Sequence, residues 1–141
     1  MTSTLFVYGT LLSGIGHPMN ELMQQFASLK GEGYISGRLY DLNEYPGLVL
    51  SNNENKKVWG ELYEIQNETE LFKYLDDYEG CAPHSPDPHE YHRNIVTVHD
   101  TSHAGLLAWT YLYTQAVTRL NPIPNGDYLE YRNKGRLRFV N

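Results

Sequence analysis

The sequence predicts an α+β protein built on a small mixed β-barrel of about six or seven strands with two flanking helices. Three observations lead to this fold class: strand-like segments outnumber helical ones, glycines lie inside them, and strands and helices do not alternate strictly. Glycines inside strands often mark bulges or barrel corners, and a parallel sheet would need strict alternation. Apolar patterning continues from Leu5 to Val140 without a low-complexity linker, so one domain over residues 1–141 is expected.

The first third of the chain predicts a strand, a helix and a second strand. An apolar run indicates a buried strand over residues 4–8, followed by a glycine-rich loop. A helix is expected over residues 18–27, because Pro18 suits a first turn and the apolar residues that follow share a face. Residues 30–42 alternate as a strand interrupted by glycines.

The middle of the chain predicts a hairpin and then a second helix. The hairpin comprises a turn at 45–47, a strand at 48–50, a turn at 51–55 and a strand at 58–65. Asn67 or Thr69 can cap a helix that ends near Tyr78. Three prolines make residues 81–90 an irregular loop.

The C-terminal part predicts two strands, a turn and a last strand. The paired strands occupy residues 91–99 and 106–113, joined by a turn at 100–105. A turn at 122–127 precedes a final strand near 136–140.

Composition narrows the class of function. A net charge of −6 argues against nucleic acid as a partner. The single cysteine, Cys81, fits a reducing compartment, and neither a signal peptide nor a membrane-spanning run is visible. We therefore expect a cytoplasmic enzyme or binding domain for a small molecule, with a monomer and a weak dimer equally open.

The motif Tyr8-Gly9-Thr10-Leu11 follows the first strand. Its glycine permits a sharp turn or a close approach, and the following backbone N–H groups can close a hairpin or cradle an anion. Glu79 is the second candidate, because it ends the predicted helix before Gly80. The negative end of a helix raises a carboxyl pKa and suits a general base, whereas a solvated carboxylate in a C-cap is the structural alternative.

Two further groups are weaker candidates. His84, His89 and His92 could bind zinc, although their spacing matches no known site and a surface loop explains them as well. Cys81 could act as a nucleophile with a histidine, or simply pack as a small apolar side chain.

The start of the strand over 91–99 supplies one more pair. On such a strand Tyr91 and Arg93 share a face, with Tyr91 able to donate into a polar cavity and Arg93 able to pair with a carboxylate.

Taken together, these segments resemble the gamma-glutamylcyclotransferase-like family. The resemblance extends nearly from end to end and rests on the order of several motifs: Tyr8-Gly9-Thr10-Leu11, Gly37-Arg38-Leu39-Tyr40-Asp41-Leu42, Tyr45-Pro46-Gly47, Val58-Trp59-Gly60-Glu61-Leu62-Tyr63, Leu75-Asp76-Asp77-Tyr78-Glu79-Gly80, Tyr91 with Arg93, Ala108-Trp109-Thr110-Tyr111 and Gly126-Asp127-Tyr128.

The resemblance implies a β-barrel with outer helices, a single cavity and a cofactor-independent acyl transfer. It implies that the backbone around Tyr8, Gly9, Thr10 and Leu11 holds a gamma-glutamyl unit and that Glu79 is the catalytic acid/base. The expected reaction closes that unit to 5-oxoproline and releases an amine, with Tyr91 as a further substrate contact.

Two rival interpretations remain at this stage. One is a non-catalytic domain of the same fold that binds a carboxylate metabolite. The other is a metal-dependent hydrolase that uses the loop of His84, His89 and His92.

Overall fold

A computed structural model describes residues 2–140, with side chains described through Lys134. The elements are, in chain order, β1 (Thr4–Val7), a 3₁₀ turn (Ser13–Ile15), α1 (Pro18–Met23), β2 (Ala27–Asp41), β3 (Pro46–Leu50), β4 (Lys57–Ile65), α2 (Glu68–Tyr78), β5 (Tyr91–Asp100), β6 (Gly105–Tyr113), β7 (Asn121–Pro122) and α3 (Tyr128–Val140). The predicted α+β barrel class is confirmed.

Five strands close the barrel in the order β2-β4-β1-β6-β5, and β5 returns to β2 through Gly33↔Asp100 and Tyr34↔His99. Among the strands of the described residues, only β1 and β6 pair in parallel, in the register Leu5↔Trp109. A Cβ on Gly33 would lie 2.7 Å from the carbonyl oxygen of His99, so glycine is what lets β5 approach β2 at the closure. This glycine is a barrel corner of the kind the sequence predicted.

The second half of the long strand β2 leaves the barrel and carries two further strands. β3 pairs with it antiparallel from Gly37↔Leu50 to Asp41↔Pro46, and β7 pairs with its last residues. Pro46, predicted to lie in a turn, therefore begins a strand, and the turn falls just before it, where the N–H of Leu42 donates to the carbonyl of Tyr45 at 2.9 Å. This extension brings Tyr45 and Pro46 beside the exit of β1.

Helix α1 ends earlier than the sequence predicts. It stops at Met23, and Ala27 already pairs with Ile65 of β4. The carbonyl of Phe26 accepts hydrogen bonds from the N–H groups of Gln66 and Asn67, which draws the chain into the sheet before another helical turn can form.

Helix α2 follows its prediction closely. Asn67 caps it by accepting from the N–H of Glu70, and Leu71, Phe72 and Leu75 form its buried stripe. No helix in the described part of the chain is long and apolar enough to cross a membrane.

The predicted last strand near residues 136–140 was wrong, because those residues belong to helix α3. The helix starts where the Asp127 side chain accepts from the N–H of Glu130 at 3.0 Å, an N-cap that the sequence interpretation had placed in a turn. Lys134 and Glu130, one turn apart, form an ion pair at 2.6 Å.

Candidate active site

A cavity of about 400 Å³ lies at the point where the exit of β1 meets the end of α2. That volume is within the range typical of small-molecule sites. Its wall comes from the exit of β1, the start of β3, the end of α2, the loop before β5 and two barrel strands. The lining residues are 6–11, Tyr45, Pro46, 78–80, Pro86, Pro88, Glu90, Tyr91 and Tyr111. The cavity therefore brings together Glu79 and the Tyr8-Gly9-Thr10-Leu11 segment, which are about seventy residues apart in sequence.

Glu79 is the C-cap residue that directly follows α2, held by a Schellman motif. The N–H of Cys81 donates to the carbonyl of Asp76, the N–H of Gly80 donates to that of Asp77, and Gly80 adopts a φ of 71°. Glu79 therefore does occupy the helix C-cap that the sequence analysis gave as the structural alternative. The same residue also lines the cavity, and the capping hydrogen bonds fix its backbone there.

The environment of the Glu79 carboxyl favours its protonated form. Burial, reinforced by the negative charges of Glu90 and Asp76, raises the pKa of Glu79 from 4.5 to about 8. No hydrogen bond or ion pair to its side chain is present among the described residues. A carboxyl with a pKa near neutrality and a free face on a cavity can both take and return a proton.

The loop after β1 presents backbone donors to the same cavity. The N–H of Leu12 closes a turn onto the carbonyl of Gly9 at 3.0 Å, whereas the N–H groups of Gly9, Thr10 and Leu11 have no partner within the described residues. Unpaired N–H groups of successive residues form a place where an anion or carbonyl oxygen can bind.

Polar contacts from α1 and β4 hold this loop in place. Asn20 donates from Nδ2 to the carbonyl of Leu11 at 2.8 Å. Glu61 accepts from the N–H of Ser13 at 2.8 Å and from its hydroxyl at 2.5 Å. Asn20 is a buried polar residue whose amide is fully engaged, since Gln24 also donates to its Oδ1. The loop is therefore fixed from outside, which leaves its inner donors available.

Gly9 packs directly against the start of β3. A Cβ at this position would lie 2.7 Å from Pro46 Cγ and 2.9 Å from Pro46 Cδ. These are closer than carbon atoms can approach, so only glycine lets the β1 exit and Pro46 share one cavity wall.

Two tyrosines in the wall donate to backbone carbonyls. Tyr8 donates to the carbonyl of Tyr111 at 2.6 Å, and Tyr91 donates to the carbonyl of Pro46 at 2.7 Å. Burial raises the pKa of both phenols well above the ordinary value. Both remain neutral at physiological pH, and the oxygen of Tyr91 retains a lone pair for a ligand donor.

Arg93 pairs with a carboxylate, which is the role that the sequence analysis gave it. Its Nε and Nη2 donate to Asp76 at 2.8 and 3.2 Å, and its guanidinium lies 3.8 Å from the Phe72 ring centroid and 4.4 Å from that of Trp109. The hydroxyl of Tyr111 also donates to Asp76, at 2.7 Å. Arg93 therefore fastens the last turn of α2 to the barrel.

The histidine loop does not assemble a ligand cluster. His84 contacts Asp77 at 2.7 Å, and His89 contacts Asp87 at 3.4 Å and the carbonyl of Ser85 at 3.3 Å. No group of three or more potential ligands converges within residues 2–134, whose side chains are described. This arrangement does not favour the metal-hydrolase interpretation.

Cys81 follows the Schellman turn and packs against the core. Burial, together with the charges of Asp76 and Glu79, raises the pKa of its thiol to about 11. A nucleophilic cysteine needs its pKa lowered instead, so the packing role fits better.

Comparison with known proteins identifies the family. The model of the family described as gamma-glutamyl cyclotransferase, AIG2-like, matches residues 5–130. The chain belongs to this family. It is an enzyme of the gamma-glutamyl cyclotransferase family on that basis, and its β-barrel is the family's fold.

Individual relatives agree with that assignment. The gamma-L-glutamyl-butirosin B gamma-glutamyl cyclotransferase of Niallia circulans is 34% identical over 129 residues, which cover 91% of this chain and 71% of the relative. The solution structure of ytfP from Escherichia coli is 30% identical with a TM-score of 0.60, covering 92% and 98% of the two chains. YkqA from Bacillus subtilis has a TM-score of 0.69 at 24% identity, and this chain, 96% covered, spans 43% of its length.

Glu90 and Tyr45 are two cavity-wall residues of this cyclotransferase to which the sequence analysis gave no site role. Glu90, immediately before Tyr91, contributes a second carboxylate, and Tyr45 lies close enough for that carboxylate to raise the pKa of its hydroxyl to about 12. The position of Glu90 at the end of the proline loop was the available signal, because that loop follows Glu79 directly in the chain. Tyr45 had been assigned to a turn without a role.

Proposed function

We propose that this protein cyclises the gamma-glutamyl unit of a gamma-glutamyl amine or amino acid to 5-oxoproline and releases the free amine, with Glu79 as the general acid/base. The observation that carries the proposal is the shared cavity of the Glu79 carboxyl and the unpaired N–H groups after β1. Family membership supports the reaction class.

Substrate binding in this proposal begins at the backbone. The N–H groups of Gly9, Thr10 and Leu11 would hold the oxygen atoms of the glutamyl unit, and the fixed loop would supply these donors without rearrangement. Tyr8 and Tyr91 would contribute ring surface, and Tyr91 an accepting hydroxyl oxygen, since its O–H group already donates to the carbonyl of Pro46. A folded glutamyl chain places its α-nitrogen near its own γ-carbonyl, which makes the reaction intramolecular.

Glu79 then moves the protons. The carboxylate takes a proton from the α-ammonium, the free nitrogen attacks the γ-carbonyl carbon, and a C–N bond forms. The bond from that carbon to the leaving nitrogen breaks as Glu79 returns the proton to the departing amine. The ring nitrogen then releases its second proton, which the departing amine takes up to leave as an ammonium ion. A pKa of about 8 suits both directions, because neither protonation state is strongly preferred near neutral pH. The chemistry requires no cofactor.

We further propose a cytoplasmic location, supported by the single cysteine, and a small molecule rather than nucleic acid as the partner, supported by the charge of −6.

The test is 5-oxoproline release from a panel of gamma-glutamyl amines and amino acids, measured by mass spectrometry. Glu79→Gln is expected to reduce kcat/KM by about 10²–10⁴, while Asp77→Asn, an exposed carboxylate on the same helix, leaves it unchanged. A folded Glu79→Gln variant with wild-type activity would contradict the mechanism. Substrate binding without turnover by the wild-type protein would instead favour the binding-domain alternative.

A further inference from the structure

The proposed reaction uses one of two carboxyl groups in the candidate active site. Two carboxyl groups, Glu79 and Glu90, line the cavity, and its described lining contains no lysine, arginine or histidine. A gamma-glutamyl unit brings one ammonium and one carboxylate. Under the proposed function the ammonium is engaged by Glu79, so the unit has no cation left for Glu90.

The surroundings of Glu90 suit an organic cation. The Tyr45 hydroxyl lies close enough to the Glu90 carboxylate for the carboxylate to raise its pKa to about 12. The ring of Tyr91 lies between Tyr45 and Tyr113, with centroid distances of 6.2 and 5.9 Å. No basic side chain in the described part of the protein pairs with Glu90. A carboxylate among tyrosine rings is a recurrent arrangement for binding ammonium groups.

The charge of Glu90 acts on its neighbours. After burial it is the main cause that raises the pKa of Glu79, and its proximity is the main cause that raises the pKa of Tyr45 to about 12. The Glu90 charge acts on several groups in the cavity and has no counter-ion among the described lining residues. A ligand with a positive charge would neutralise it.

We propose that Glu90 determines specificity by binding a positively charged group on the leaving amine, so that the preferred substrates are gamma-glutamyl conjugates of diamines or other amines with a second cationic centre. This inference rests on the proposed function and deepens it. Glu90 lies in the same cavity as Glu79 but reaches it from the loop before β5, so one carboxyl serves the reacting nitrogen and the other the remainder of the amine.

The test uses two substrates that differ only in charge at the far end: gamma-glutamyl-1,5-diaminopentane and gamma-glutamyl-pentylamine. The wild-type protein is expected to prefer the cationic substrate in kcat/KM by about tenfold or more, a preference that falls as salt increases. Glu90→Gln is expected to abolish the preference, and Tyr45→Phe, which removes the hydroxyl beside Glu90, to reduce it. Glu44→Gln is the control, because it removes one negative charge from an exposed position outside this cavity. This variant is expected to retain the preference for the cationic substrate.

The ratio of the kcat/KM values for the two substrates isolates the role of Glu90 in specificity. Any change in the pKa of Glu79 alters both kcat/KM values equally and leaves their ratio unchanged. A wild-type protein with no preference, or a folded Glu90→Gln variant with an unchanged preference, would overturn the inference. The proposed function would survive either result as long as both substrates yield 5-oxoproline. Failure of the wild-type protein to release 5-oxoproline from either substrate would overturn both.

Discussion

Asp76 and Arg93 are joined by two hydrogen bonds, Nε to Oδ1 at 2.8 Å and Nη2 to Oδ2 at 3.2 Å. Asp76 lies three residues before Glu79 on α2, and Arg93 lies on barrel strand β5. The pair therefore connects the helix end that carries the proposed acid/base to the strand that begins at Tyr91. Both side chains are mostly buried, with exposed fractions of 24% for Arg93 and 20% for Asp76, so the contact is shielded from solvent.

Replacement of Asp76 tests this connection. Asp76→Asn leaves the Arg93 guanidinium without its counter-ion and weakens the bond from the Tyr111 hydroxyl, so the free energy of unfolding is expected to fall by about 2–3 kcal/mol. Urea unfolding measures the change. The exposed pair Lys30–Glu64, 3.9 Å apart, supplies the control: Glu64→Gln is expected to cost less than about 1 kcal/mol. Equal losses in the two variants would refute the structural role of Arg93.

The pH dependence of activity follows from the pKa of Glu79. The base form is needed to accept the first proton, so kcat/KM is expected to rise with pH through an enzyme pKa near 8. Glu90→Gln removes a negative neighbour and is expected to move this pKa down by about 0.5–1 unit. Full pH–rate profiles of both proteins measure the shift, and an unmoved profile would show that the Glu90 charge does not reach Glu79.

The same carboxyl makes stability depend on pH. Glu79 has a pKa of about 8 in the folded protein against an ordinary value of 4.5, so the folded state binds the proton more tightly. Its contribution to stability is complete below about pH 4.5 and is lost as pH rises through 8. Glu79→Gln stays neutral, and its free energy of unfolding relative to wild type is expected to increase over that range by up to about 5 kcal/mol. A difference that does not vary with pH would contradict the raised pKa.

Gly9 is expected to tolerate no side chain. Gly9→Ala places a Cβ within 2.7 Å of Pro46, which must displace the loop or β3 and is expected to cost about 1–3 kcal/mol and to lower kcat/KM. Gly31→Ala is the matched control, because nothing lies within 4 Å of its added Cβ. Thermal unfolding and activity of the two variants are compared, and equal values would show that Gly9 is not required for the packing of the β1 exit against Pro46.

Cys81 is expected to be dispensable for the reaction. With its pKa raised to about 11, the thiol is almost fully protonated at neutral pH and should alkylate slowly with iodoacetamide. Cys81→Ser is therefore expected to retain kcat/KM within about threefold, since nucleophilic catalysis would require the thiolate. Loss of activity in a stable Cys81→Ser protein would revive the nucleophile hypothesis.

Local sequence predicted the elements whose signals are local. Asn67 was named as a possible cap of α2, and the apolar stripe of that helix is buried as expected. The turn at the exit of β1 and the helix end at Gly80 were also predicted from the sequence, because each position requires a glycine. The errors occurred where other parts of the chain compete: α1 is cut short by pairing of Ala27 with Ile65, and α3 replaces the strand expected near residues 136–140.

The family resemblance, the barrel class and the two candidates, Glu79 and the Tyr8-Gly9-Thr10-Leu11 segment, followed from the sequence alone. The fold was needed to show that these two candidates line one cavity together with Glu90. The physical reason is that helix capping and strand periodicity are set by neighbouring residues, whereas the pKa of Glu79 depends on burial and on charges from other elements. The carboxyl becomes a proton carrier because of what folding places around it.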